Sequence, residues 1–135
     1  QIMGVYIMWA YKGEEFTENM IDDNVGFVYI ITNETNNKQY IGKKLFTKSK
    51  TYQKNKKKKK MRVASDWITY TGSNEQLNED IKNGHSIKKE IIHLCKSKGF
   101  CSYMESKEIL MRDCLLNDKY YNYWISCKIR RSHLR

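Results

Sequence analysis

A β-prone apolar run opens on Gly26. Phe27-Val28-Tyr29-Ile30-Ile31-Thr32 is continuous, β-branched and aromatic, and reads as a buried strand. Asn33 to Asn37 is a polar turn, and Gln39-Tyr40-Ile41-Gly42 follows as a second strand, so residues 26–42 read as a β-hairpin. Ile87 to Cys95, with Ile91, Ile92 and Leu94 as its apolar content, predicts a third strand. Two helices fit around it. Ser73-Asn74-Glu75-Gln76 has the form of a capping box, Leu77 and Ile81 share one face and Gly84 ends the segment, which predicts a helix over 74–83. Ser102-Tyr103-Met104-Glu105 repeats the box and predicts a second helix to about Leu115, with Tyr103, Leu110 and Cys114 on one stripe and Glu105 as its N3 residue. Together these elements predict an α+β domain, a small three-stranded antiparallel sheet flanked by helices. Residues 1–25 read as an N-terminal extension, 26–125 as the domain and 126–135 as a basic C-terminal tail.

Composition narrows the partner. At 135 residues and 40% hydrophobic content the chain suits one domain with its own core, unlike the apolar-poor signature of disorder. No apolar run approaches the roughly 20 residues of a membrane-spanning helix, and no export signal is visible, so a cytoplasmic location is expected. The four cysteines form no C-x-x-C pair, which argues for reduced thiols over a zinc knuckle. The net charge of +10 points to a polyanion. That charge is local: Lys43 to Arg62 holds eleven basic residues and no acid, and without this window 14 basic residues face 15 acidic ones. Residues 43–62 therefore read as a basic insertion in a neutral domain.

Tyr29 and Tyr40 fall on paired strands, side by side or one diagonal step apart, within reach of one substrate atom. At these residues the chain resembles a family. Gly26-Phe27-Val28-Tyr29 with Tyr40-Ile41-Gly42-Lys43 is similar to the paired signature of the GIY-YIG nucleases. The order continues with Ser73 to Leu77, Gly84, Ile87-Lys88-Lys89-Glu90-Ile91-Ile92, Glu105 and Tyr121-Asn122, so the resemblance covers about residues 26–125. It looks most like the short phage-encoded, homing-type members.

The resemblance implies a metal-dependent endonuclease acting on double-stranded DNA, with Tyr29, Tyr40, Lys43, Arg62, Glu105 and Asn122 as catalytic residues. Cleaving a phosphodiester needs an activated water, neutralisation of phosphoryl charge and help for the leaving oxygen. A tyrosine is a poor base at its ordinary pKa of about 10, and Lys43 is expected to lower it. Glu105 is expected to hold one Mg²⁺ or Mn²⁺, which keeps several waters and completes its shell from substrate phosphate. Arg62 would stabilise transition-state charge, and Asn122 would orient the Glu105 region or a metal-bound water.

The arginine departs from the pattern. Relatives carry it about ten residues after the second tyrosine, on a helix, where this chain has Lys50. Arg62 takes the role only if Lys44–Lys60 loops out, with Lys44 or Lys50 as point-charge substitutes.

Phosphate contacts are expected from Lys44, Lys48, Lys50, Lys54, Lys56, Lys57, Lys58, Lys59, Lys60, Arg130 and Arg131. Sequence specificity is expected from the Lys-rich segment, the first 25 residues, the basic C-terminus or a second copy. One active site per chain makes a homodimer on DNA one route to a double-strand cut. The alternative reading is a non-catalytic module that binds DNA or RNA through the basic insertion. In it Tyr29 and Tyr40 pack a sheet, Glu105 caps a helix and Asn122 is a turn residue.

Overall fold

The computed structural model describes residues 7–134. Its strands are β1 (Trp9–Tyr11), β2 (Glu14–Glu15), β3 (Gly26–Asn33), β4 (Gln39–Leu45), β5 (Thr47–Lys54), β6 (Lys57–Ala64) and β7 (Ile87–Cys95); its helices are α1 (Glu75–Lys82) and α2 (Lys98–Met111). The fold is α+β. The expected antiparallel trio β7-β3-β4 is present and extends to five strands in the order β2-β1-β7-β3-β4. β1 runs parallel to β7, which makes the sheet mixed.

β3 reads as one continuous apolar run because both of its faces are covered. One face, with Phe27, Tyr29 and Ile31, packs under Trp9, Phe16, Phe46, Trp67 and Leu77. The other, with Val28 and Ile30, packs with Ile41 against Cys101 and Ile109 of α2 and against Cys114. Trp9 and Phe16 are each 1% exposed, so the described part of the expected extension, residues 7–25, feeds the core as well as the sheet edge. The Trp9 indole donates to the Trp67 carbonyl at 2.6 Å and locks β1 to the segment that precedes α1. The four cysteines are free thiols, three of them buried.

Both helix starts differ from expectation. Asn74, and not Ser73, caps α1, with its side chain accepting from the Leu77 N–H. Ser97 caps α2 by accepting from the Phe100 N–H, five residues before the expected Ser102. The inward residues of α2 are consequently Cys101, Ser106 and Ile109, while Tyr103 and Leu110 are exposed. Starting five residues earlier also leaves Glu105 without a capping role.

The basic window is neither a loop nor a helix. Its first residues finish β4, and the remainder forms a two-stranded ribbon of β5 and β6, paired from Thr47↔Ala64 to Lys54↔Lys57. Every ribbon residue except Val63 is exposed. Asn55 and Lys56 close it with consecutive positive φ angles of 52° and 61°, the geometry of a two-residue hairpin turn.

One buried charge in the sheet carries a stability prediction. Lys89 of β7 is 2% exposed, donates to the Ile68 carbonyl at 3.1 Å and lies 4.3 Å from the Trp9 ring centroid. Burial pulls its pKa from 10.5 down to about 8. Between those values the unfolded chain holds a proton that the folded chain has released, so stability rises with pH there and the full cost is present below about 8. Lys89→Met should therefore stabilise the protein by roughly 2 kcal/mol at pH 7, the shift less the lost hydrogen bond and ring contact. Urea denaturation at pH 7 and pH 10 should show that advantage shrinking at the higher pH.

Candidate active site

β4 is an edge strand of the five-stranded sheet, and the site is built around it. Tyr29 stands opposite Gly42 in the register. A Cβ at position 42 would lie 2.2 Å from the Tyr29 hydroxyl oxygen, so only glycine lets the phenol pass under β4 to the rim of the sheet. Tyr40, opposite Ile31, projects from the same face as Tyr29, with ring centroids 6.3 Å apart. This is the expected diagonal step. Tyr70 meets Tyr29 edge-on at 6.1 Å, and the Tyr40 hydroxyl lies 3.2 Å from Ser73 Oγ.

Lys43 is opposite Val28 and so leaves the other face of the sheet, toward α2. Its ammonium donates to Ser102 Oγ and lies 4.0 Å from Glu105 Oε1. Tyr29 and Tyr40 from one face, and Lys43 and Glu105 from the other, thus meet around Gly42. They line a cavity of about 500 Å³ together with Ser73 and Asn122. Of the lining residues Glu105 is the one acid and Lys43 the one cation.

The chain after α2 covers part of the β4 edge and leaves part open. Gln39 N–H donates to the Lys119 carbonyl, and Tyr121 N–H donates to the Gln39 carbonyl. Asn122 then replaces a strand residue with its side chain. Its Oδ1 accepts from the Ile41 N–H at 3.0 Å and its Nδ2 donates to the Ile41 carbonyl at 2.9 Å. Tyr121 holds this segment in place, donating to Asp80 at 2.6 Å and accepting from Asn33 and Asn36. The covered edge ends at Ile41, next to the cavity. Both polar ends of Asn122 bond the Ile41 backbone, and both Asn122 and Glu105 line the cavity. Asn122→Ala should cost about 2 kcal/mol by stranding the Ile41 N–H and carbonyl, read as a lower urea midpoint.

Burial raises the pKa of Glu105, opposed by the Lys43 ammonium and backbone. Burial likewise raises Tyr29, with Tyr70, Tyr40 and Glu105 acting in the same direction, and it raises Tyr40 against the Ser73 hydrogen bond. The expected lowering of a tyrosine by Lys43 does not occur. Positions 40 and 42 share one face and 43 takes the other, so the ammonium is directed at Glu105 and Ser102.

Arg62 lies outside this cavity. It bonds Thr47 and Ser49 across the ribbon and lines a neighbouring hollow that Lys43 and Ser102 share. Lys50 is exposed on β5, on no wall of the cavity. Lys44 pairs with Asp66 at 2.6 Å and sits 4.0 Å over the Tyr70 ring. Lys48, Lys54 and Lys56 to Lys60 are exposed on the ribbon, and Arg130 and Arg131 are exposed where the final turn meets Gly99. Tyr70 and the exposed rim residues Tyr123 and Trp124 had no signal in the hydrophobic pattern, and Ser73 and Ser102 read as caps.

A metal would have one carboxylate here. Among the described residues no group of three or more His, Cys, Asp or Glu side chains could hold an ion. Glu105 fits a hard cation that keeps most of its waters and takes further oxygens from a phosphate, the habit of Mg²⁺ and Mn²⁺.

A mixed sheet with paired tyrosines and a helix carboxylate converging on a glycine of its edge strand has the parts of a GIY-YIG nuclease domain. Residues 9–125 match the family described as "Putative endonuclease segE, GIY-YIG domain". That span is most of the chain, and the chain belongs to this family of GIY-YIG endonuclease domains. No curated protein and no solved structure matches it. Among the described residues no helix is long and apolar enough to cross a membrane.

Proposed function

We propose that the cavity at Gly42 is the active site of a phage-type, metal-dependent endonuclease that hydrolyses phosphodiesters in double-stranded DNA. The observation that carries this reading is the convergence of Tyr29, Tyr40, Lys43 and Glu105 on one cavity in a chain of an endonuclease family.

Glu105 would hold the Mg²⁺ or Mn²⁺, whose contribution is Lewis-acid stabilisation of phosphoryl charge. The Lys43 ammonium supplies positive charge for a non-bridging phosphate oxygen beside that carboxylate. With pKa values raised by burial, the tyrosines keep their protons. They act as hydroxyls that orient the phosphate and the attacking water, and not as preformed phenolates. Asn122 keeps the edge of β4 in register. Arg62, in the neighbouring hollow, serves DNA binding in this reading, along with the ribbon lysines. One such cavity per chain makes the elementary event a nick, and a double-strand break takes two chains or two events.

The full chain with supercoiled plasmid and Mg²⁺ or Mn²⁺ should give nicked circles, and EDTA should stop the reaction. Plasmid left intact at saturating protein in either metal would reject catalysis in favour of binding alone. Tyr29→Phe should lower the rate about a hundredfold, the scale of one lost transition-state hydrogen bond, without moving DNA affinity more than threefold.

A further inference from the structure

The β5–β6 ribbon has an order that its own folding does not require. Along β5 the residues alternate Thr47, Lys48, Ser49, Lys50, Thr51, Tyr52, Gln53, Lys54. In a strand such alternation separates two faces, and it is usually imposed by burial of one of them. Here both faces are exposed, so packing does not select it.

The register assigns the faces. One carries Ser49, Thr51 and Gln53 opposite Arg62, Lys60 and Lys58; the other carries Lys48, Lys50, Tyr52 and Lys54 opposite Val63, Met61, Lys59 and Lys57. The first combines neutral donors and acceptors with cations, and the second is mostly ammonium. Like charges directly opposite, as at Lys54↔Lys57, oppose pairing, and an isolated two-stranded ribbon is marginal in water. Among the described residues none of the ribbon's cations lies within 4 Å of a carboxylate oxygen, Lys48 acting on Asp66 from farther off. An anionic partner on both sides would relieve this repulsion.

We infer that the ribbon inserts into the major groove of DNA, with the Ser49–Thr51–Gln53 face reading base edges and the opposite lysines holding the flanking phosphates. This rests on the DNA-directed reading above. The major groove admits a two-stranded ribbon, and eight residues at about 3.3 Å each span roughly 26 Å of it. Glutamine and threonine offer the mixed donor and acceptor pattern that distinguishes base pairs, whereas lysine only donates. The root of the reading face, at Thr47, Ser49 and Arg62, shares its hollow with Lys43, which also lines the catalytic cavity. The bases read therefore lie within about one helical turn of the cut.

The test is enrichment of bound duplexes from a randomised pool by the full chain, without metal. Wild type should enrich a motif. Thr51→Ala/Gln53→Ala should reduce that enrichment at least tenfold while binding random duplex within threefold of wild type. Lys54→Ala/Lys57→Ala/Lys59→Ala should keep the motif, weaken binding to all sequences alike and lower the slope of log K on log salt by about 2–3. No motif from wild type, a motif kept by the first variant or a motif lost in the second would overturn the inference. Because the readout is binding, a failure to cleave DNA would reject the nuclease reading and leave this result standing.

Discussion

Gly42→Ala should remove both the site and much of the stability around it, costing about 3 kcal/mol and abolishing cleavage. The added methyl would meet the Tyr29 hydroxyl oxygen at 2.2 Å, Cζ at 2.5 Å and Cε1 at 3.0 Å. The ring has nowhere to go. Tyr29 is 1% exposed, with the rings of Trp9, Phe27 and Tyr70 at 5.1, 6.0 and 6.1 Å. Either β4 moves away from β3, breaking the sheet edge, or the phenol leaves the cavity. Gly84→Ala is the control. It sits at φ +92° with nothing within 4 Å of an added Cβ, so it should cost only about 1 kcal/mol of backbone strain and leave cleavage intact. Thermal melts of both variants beside wild type check the contrast.

The sheet's centre was legible because burial on both faces writes a continuous apolar run at 27–32, and the diagonal of Tyr29 and Tyr40 follows from hairpin geometry. The ribbon was not, since neither of its faces packs and no hydrophobic period marks it. Helix starts misled for a related reason: serines at 73 and 102 offer cap chemistry, yet their hydroxyls bond Tyr40 and Lys43 while Asn74 and Ser97 do the capping. The chain segment before β3 reads as an extension although Val5 to Tyr11 is apolar throughout, because the run alone does not show what it packs against; the burial of Trp9 and Phe16 depends on contacts with distant Phe27 and Trp67. Nearness in sequence also failed as a guide to electrostatics. Lys43 is three residues from Tyr40 but on the other side of the pleat, where it meets the carboxylate and not the phenols.

Glu105→Gln should lower cleavage at least about a thousandfold, because it removes the one anionic group in the cavity while keeping its shape. DNA affinity should stay within threefold, since the cationic ribbon is untouched. The variant should melt no lower than wild type at pH 7. The Glu105 pKa is raised on folding, so the unfolded chain gives up the proton first and ionised Glu105 costs stability as pH climbs through that window. Glutamine removes the cost.

The most direct test of the account is single-turnover cleavage of one duplex by wild type and Glu105→Gln, each at a concentration that binds all of the DNA, with Mg²⁺ and with EDTA. Wild type should cut in Mg²⁺ alone, and Glu105→Gln should hold the same duplex without cutting it. Equal cleavage by the two proteins, or cleavage in EDTA, would contradict a metal-dependent nuclease site at Gly42.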